Sequence, residues 1–365
     1  MPVPWLTGGV DVAEPEITRD ALDAALSAGE REQREESNTA RRLKQAQAQI
    51  AELEAKVDLL TALDGVTTEQ PDWAQPPKAK RARRAVANLM ISDLHLDERV
   101  DPGEMRLKNA YSREIALQRV RRLGVKTIEM ARDYISGVTY DGLYLWMNGD
   151  IVSGNIHEEL ERTNDAVHPL ESVDYWVDPL AALVDQLAGF FGRVHLVWSY
   201  GNHGRTYKKP PSKGSVKSNY DWSLARILRR ELKTDDRLTW NIPESRDVRV
   251  SVYSTRYLMQ HGDDFKGGDQ IAGAVRPVMM GDFRQLVVEV YDGEPYDCLL
   301  VGHFHQYHGL PRAIINGSVV GYNEYAKDHK FRPERPQQAF WLTTPENGPT
   351  MHLPILVADR QAEGW

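Results

Sequence analysis

Four short apolar runs that stop at a carboxylate, an amide or an imidazole constrain this chain more than any other feature. They are Asn88-Leu-Met-Ile-Ser-Asp-Leu-His95, residues 142–150 ending Met-Asn-Gly-Asp150, residues 194–203 ending Tyr-Gly-Asn-His203, and residues 298–305 ending Val-Gly-His-Phe-His305. Runs of strand length with a polar stop read as buried strands that deliver side chains from their carboxyl ends. Asp150 is the natural hub of such a set.

Around these runs, strands and helices alternate. Residues 85–92 and 193–200 read as strands and 175–191 and 221–232 as helices, while 111–135 carry a helical stripe of Ile115, Val120, Leu123, Ile128, Ala131 and Ile135. Alternation of this kind predicts parallel strands with helices on their faces. After Leu238 the pattern turns β-rich. Residues 247–253 and 256–261, two residues apart, predict an antiparallel hairpin; 273–290 read as a helix, and 297–302, 313–315, 338–343 and 351–356 as further strands. The expectation is an α/β sandwich of two mixed sheets over residues 85–365.

The first 84 residues differ in texture. Residues 17–63 contain no proline and are rich in Ala, Glu, Gln, Arg and Leu, which predicts a helical arm over 1–64. Leu43, Ala46, Ile50, Leu53, Val57 and Leu60 fall at heptad spacing, the pattern of self-association through a coiled coil and equally of a helix docked on its own domain. Residues 65–84 read as a linker with Pro71, Pro76 and Pro77, closing on Lys78-Ala-Lys-Arg-Ala-Arg-Arg84, a run that suits either a solvated linker or contact with a polyanion. Net charge −8, from 45 basic and 53 acidic residues, does not mark the whole molecule as a nucleic-acid binder. The one cysteine, Cys298, rules out a disulfide framework and fits a reducing compartment. With no run near the ~20 apolar residues of a membrane span and no signal-peptide pattern at the start, the expected location is cytoplasmic, away from membranes.

The polar residues at the strand ends are Asp93, His95, Asp150, Asn202, His203, His261, His303 and His305. Oxygen and imidazole donors in this mixture suit Mn²⁺, Fe or Zn²⁺. Two divalent ions need a shared group, which a carboxylate with two oxygens supplies.

In their order, Asp93-Leu-His95, Gly149-Asp150, Gly201-Asn-His203, His261-Gly262 and Gly302-His-Phe-His305 resemble the five motifs of the calcineurin-like metallophosphoesterases. The likeness runs from about Ala85 to about Leu356 and leaves the N-terminal arm outside. It implies a four-layer α/β/β/α sandwich with a two-metal centre at the strand ends. By the same resemblance, Asp93, His95 and His305 hold one ion, Asn202, His261 and His303 the other, Asp150 bridges them, and His203 is the catalytic acid. The implied activity is hydrolysis of a phosphate ester by metal-activated hydroxide, with Mn²⁺ the first choice of ion. One position departs from the pattern. Many family members carry an acid directly after Gly-Asn-His, to orient the histidine, where this chain has Gly204. Either another group orients His203 or the leaving group needs less help.

Residues 204–220 carry Arg205, Lys208, Lys209, Lys213 and Lys217 with Tyr207 and Tyr220 between them and no acid. As a loop rooted at the site, it would form a basic, aromatic rim suited to DNA or RNA, with Arg205, Lys208 and Lys209 as substrate contacts, or else an ordinary solvated surface. The leading expectation is therefore a phosphodiesterase or nuclease, beside a phosphomonoesterase and a non-enzymatic metal-stabilised scaffold. Residues 316–325, glycine-broken and aromatic, are expected to line the pocket opposite the rim. With the strand that closes at Phe340, they resemble phage-encoded members of the family. His157 reads as a loop cap or a substrate contact and His195 as packed; His168, His308, His329 and His352 have no partner visible in the sequence.

Overall fold

In the computed structural model, residues 19–20, 41–51, 71–74, 83–209, 213–266 and 273–365 are described. The chain divides into two units, Met1–Gly65 and Val66–Trp365. In the first, residues 41–51 are helical, with Leu43 and Ile50 exposed; the heptad positions Leu53, Val57 and Leu60 lie outside the described residues. Most of the basic run that ends at Arg84 lies outside them as well.

The second unit is built on a strand with no wet face. In β1 (Arg84–Ile91), Ala85, Ala87, Leu89 and Ile91 pack toward helices, and Val86 and Met90 pack toward another sheet. Burial on both sides explains why the run is nearly continuous in apolar residues rather than alternating. Ser112 caps α1 (Arg113–Glu129), which ends in a π-helical turn over Met130–Tyr134. β2 (Thr139–Asn148) follows, then α2 (Glu158–Thr163), α3 (Pro169–Phe191), β3 (Val194–Ser199), α4 (Tyr220–Glu231) and β4 (Leu238–Asn241).

α3 starts well before the residue 175 that apolar spacing suggests. Pro169 takes the first helical position, where its missing N–H costs nothing, and His168 Nδ1 accepts from Leu170 N at 3.1 Å. The short β4 has no clear sequence signal; it pairs in parallel with β3.

The expected hairpin is β5 (Val248–Val252) with β6 (Thr255–Gln260). After it come α5 (Val275–Tyr291), β7 (Cys298–Val301), β8 (His308–Gly309), β9 (Ala313–Ile315), α6 (Glu324–Asp328), β10 (Gln337–Thr344), β11 (Gly348–Leu356) and α7 (Arg360–Glu363). One sheet has the order β11-β10-β1-β2-β3-β4, with β1 to β4 parallel; the other is β5-β6-β7-β9-β8, with β6, β7 and β9 parallel.

Three cores separate four layers. Val120, Leu123, Trp176 and Leu224 of the helices pack on the first sheet, Trp146, Trp341, Tyr257 and Met259 fill the space between sheets, and Val278 of α5 packs on Leu258 and Leu299 of the second sheet. The fold is thus the four-layer α/β/β/α sandwich. Among the described residues, no helix is long and apolar enough to cross a membrane.

Candidate metal centre

The parallel strands β1, β2, β3 of one sheet and β6, β7 of the other put the eight candidate residues just past their carboxyl ends. Side-chain donor atoms come together in three overlapping groups, Asp93–His95–His305, His95–Asp150–His203 and Asp150–His261–His303. Asp150 and His95 each belong to two groups, so the set is one continuous site. Asn202 lies between Gly201, which abuts Asp150, and His203.

The backbone is bent to present these donors. Asp93, His95, Asp150, His303 and His305 all have left-handed φ, between 42° and 66°. Such a conformation costs a non-glycine residue roughly 1–2 kcal/mol, and its concentration in five of the candidate ligands is the mark of a functional site. The loops are also laced together: His95 N donates to Asp150 O (3.1 Å), Asp93 N to Gly149 O (3.1 Å) and His303 N to Asp93 Oδ1 (3.0 Å). Gly201 has to be glycine, because a Cβ there would collide with the Asp150 carboxylate.

The donors face one another in a way that their own hydrogen bonds leave unresolved. His95 Nε2 and His305 Nε2 are 3.0 Å apart, and His305 Nε2 is 3.3 Å from Asp93 Oδ1. His261 Nε2 lies 3.0 Å from Asp150 Oδ2 but off the direction of a hydrogen bond, since its buried nitrogen has no bonding partner. Asn202 Oδ1 is likewise buried without a hydrogen bond. Buried polar atoms are normally satisfied, and an orphaned nitrogen and oxygen in one site are what a cation would complete. The donor set therefore fits divalent ions.

Electrostatics divide the imidazoles, His95 and His303 shifted down and His261 and His305 shifted up by the carboxylates beside them, so an ion would have to displace a proton from the second pair. Burial, then His203 and His305, hold the His95 pKa well below its ordinary value, and burial followed by His261 lowers His303 to about 4. Both imidazoles are thus neutral bases able to ligate. Burial opposes ionisation of Asp150, yet His261 and His203 keep its carboxyl well below the usual range. Burial would also lower His261, but the adjoining Asp150 carboxylate outweighs it and raises that pKa to about 10. His261 Nδ1 donates to Asn148 O at 2.8 Å, which fixes the tautomer that turns Nε2 toward Asp150.

His203 is anchored twice. Its amide donates to Asp150 Oδ1 (2.7 Å), and Nδ1 donates to the carbonyl of Ser153 (3.0 Å). That carbonyl orients the ring, the task the sequence comparison gave to an acid after the histidine. No side chain fits at Gly204: a Cβ would run into Asn219 Oδ1 and crowd Asp221. Asp221, fully buried, accepts from Ile151 N (3.1 Å), Val152 N (3.2 Å) and Gly201 N (3.1 Å), fastening the ends of β2 and β3 to each other. Burial, reinforced by Asp150, raises its pKa to about 7.

Sequence reasoning missed Asp221, and only its place near the first turn of a helix hinted at it. It missed Glu98 too, held by Asn323 Nδ2 at 2.9 Å and lying 3.6 Å from His95 Nδ1.

Two readings change. His157 stands at the N-cap position of α2 with no side-chain cap bond; its ring lies 5.5 Å from that of His203. Residues 316–321 are buried, and their polar groups are engaged within the fold. Asn316 is buried, donating to Ser92 Oγ (2.8 Å) and accepting from Ala339 N (2.7 Å); Ser92 Oγ bonds Asp93, and Val319 N donates to Asp93 O (3.2 Å). This segment supports Asp93 from beneath.

The basic rim is also less free than its composition suggests. Arg205 donates to its own loop at Tyr207 O and Lys208 O, Lys208 lies 3.5 Å from Glu158, and Lys217 pairs with Glu244 at 2.9 Å. Lys209, Lys213 and Tyr207 are exposed, and Tyr220 is half-buried against the helical core.

No family model matches this sequence, and no curated protein matches it. Remote similarity to solved structures is found. A Vps29 point mutant from Entamoeba histolytica is 13% identical with TM-score 0.26, over 75% of this chain and 100% of that one. A dimetal phosphatase from Danio rerio is 12% identical with TM-score 0.34, over 75% and 99%. The sulfate thiohydrolase SoxB of Thermus thermophilus is 10% identical with TM-score 0.28, over 77% and 57%. Similarity this remote leaves the chemistry of the chain to be read from its own residues.

Proposed function

We propose that this chain is a dinuclear metal-dependent phosphoesterase of the calcineurin-like kind. The observation that carries the reading is the overlap of the three donor groups: His95 links Asp93 and His305 to Asp150, Asp150 in turn joins His261 and His303, and Asn202 Oδ1 is buried without a hydrogen bond. Divalent ions bound there would neutralise phosphate oxygens and supply a nucleophile from water near neutral pH. The chain's own part is positioning and proton transfer. With Nδ1 committed to the Ser153 carbonyl, His203 has Nε2 to hand a proton to the departing oxygen. The amide tie from His203 to Asp150 holds that nitrogen in register with a residue that would hold the ions.

For the substrate, a phosphodiester, including nucleic acid, is the first class to test, on the strength of exposed Lys209, Lys213 and Tyr207 beside the site. The second reading is a small phosphomonoester, favoured by the pairing of Lys208 with Glu158 and Lys217 with Glu244, which leaves a rim of mixed charge. The likeness to phage-encoded members rested partly on residues 316–325, whose buried half serves Asp93 instead.

The test pairs metal content with turnover. Chelated full-length protein is titrated with Mn²⁺, Fe²⁺ or Zn²⁺ by calorimetry, then offered DNA, RNA, a monoester and a diester side by side. Asp150→Asn and His303→Ala should lose ion binding together with hydrolysis. His203→Gln should keep the ions and lose roughly 10²–10⁴-fold in turnover of esters with poor leaving groups. Wild-type protein that bound no divalent ion, or a His203→Gln variant as active as wild type on such esters, would overturn the reading.

A further inference from the structure

Helix α5 turns Val278 and Gly281 inward against the second sheet. Outward it presents Met279, Met280, Phe283, Val287, Val290 and Tyr291, each between 48% and 90% exposed. A surface helix normally shows charge on this side. Here, Met280, Phe283, Val287 and Val290 are spaced 3-4-3, a seam that lacks its other half. The six side chains leave roughly 700 Å² in water, above the largest patch of an ordinary monomer and close to the ~800 Å² per partner of a stable interface.

We propose that α5 is a dimerisation helix, pairing antiparallel with α5 of a second copy of this chain about a two-fold axis level with Gln285. A two-fold pairing brings residue i of one copy against residue j of the other with i and j summing to a constant, and one constant satisfies the whole stripe. It sets Phe283 against the partner's Val287, Met280 against the partner's Val290, and Met279 against the partner's Tyr291. The same axis brings the start of the helix, which carries Arg276, near the partner's acidic segment of Asp292 and Glu294, the latter lying 3.4 Å from Arg249 of its own chain. Antiparallel helix dipoles add to this complementarity. A membrane surface is the poorer occupant, because interfacial helices rely on basic flanks, whereas the exposed Asp292 and Glu294 and a net charge of −8 repel anionic lipid.

The test uses the full chain. Cys298 is buried and will not compete in cross-linking. Met280→Cys combined with Val290→Cys places the two thiols too far apart to join within one helix, so a disulfide between them must link two copies. Rapid oxidation to a covalent dimer, slow or absent in a Lys126→Cys, Arg132→Cys control on α1 and its terminal turn, is the expected result. Phe283→Glu should lower the molar mass seen by light scattering while the far-UV spectrum and the hydrolysis per site stay the same. Cross-linking no faster than in the control overturns the proposal, because self-association through the N-terminal arm alone would not bring positions 280 and 290 together. A mass unchanged by Phe283→Glu also overturns it. So does a monomeric wild type that binds phosphatidylserine vesicles through Phe283, which would reassign the face to lipid.

Discussion

At the residue scale, the departure at Gly204 has a steric cause. The buried Asn219–Asp221 pair occupies the volume that an acidic side chain would need, and the Ser153 carbonyl already orients His203. Gly204→Asp should therefore fail to improve hydrolysis. By pushing Asn219 away from Gly201, to which it donates at 2.8 Å, it should cost about 1–3 kcal/mol of stability, measured by urea denaturation. A Gly204→Asp protein as stable as wild type and more active would show that the space exists. The eight candidate site residues were legible because a carboxylate, amide or imidazole at the end of an apolar run is out of place unless something binds it. Ser153 was not legible, because the group that acts is a backbone carbonyl, which every residue has.

At the scale of elements, α1 looks in sequence like an amphipathic helix with solvated arginines, yet Arg119 is fully buried. Its guanidinium donates to Val319 O (2.7 Å), Val320 O (2.8 Å) and Asn109 Oδ1 (3.0 Å) and pairs with Glu363 at 3.0 Å. Because Val319 N in turn donates to Asp93 O, Arg119 fixes the segment beneath a candidate ligand. Arg119→Met leaves the carbonyls of Val319, Val320 and Ala110 and the Asn109 amide oxygen without their donor, while Arg122 stays with Glu363 at 2.7 Å, so it should destabilise the fold by about 1–3 kcal/mol. It should also weaken ion binding in calorimetry; a loss of stability with unchanged ion affinity would confine the arginine to a structural role. Periodicity could find α1 but could not find this arginine, since Val319, Val320 and Glu363 lie 200 or more residues away in sequence. The start of α3 at Pro169, ahead of residue 175, was missed because its first turn is marked by a proline and a histidine cap rather than by apolar spacing.

For the whole molecule, the layer order was readable from alternating strands and helices and from the later β-rich pattern, whereas β4, four residues long, was too short to stand out. The interior between sheets carries one titration of its own. His195, on β3, is buried beside Tyr144 with Nδ1 2.8 Å from Thr239 Oγ1, and burial pushes its pKa down to about 3. Above pH ~6.5 the imidazole is neutral in both the folded and unfolded chain, so it costs nothing. As pH falls from there toward 3, the unfolded chain takes up a proton that the folded one refuses, and stability drops by about 1.4 kcal/mol per pH unit from this group alone. His195→Gln should flatten that part of the curve of urea midpoint against pH; parallel curves for the two proteins would place the acid sensitivity elsewhere.

Two of the three donor groups draw on both sheets, while His95, Asp150 and His203 all follow strands of the first. Asp93 and His95 follow β1 while His305 follows β7, and Asp150 follows β2 while His261 and His303 follow β6 and β7. A fragment ending before β5 would hold neither of those two groups whole, and nor would the fragment that begins there. The centre exists only once the two halves of the polypeptide have closed on each other. Ions bound there would act as rivets between the sheets, and stripping them should ease the halves apart before either one unfolds.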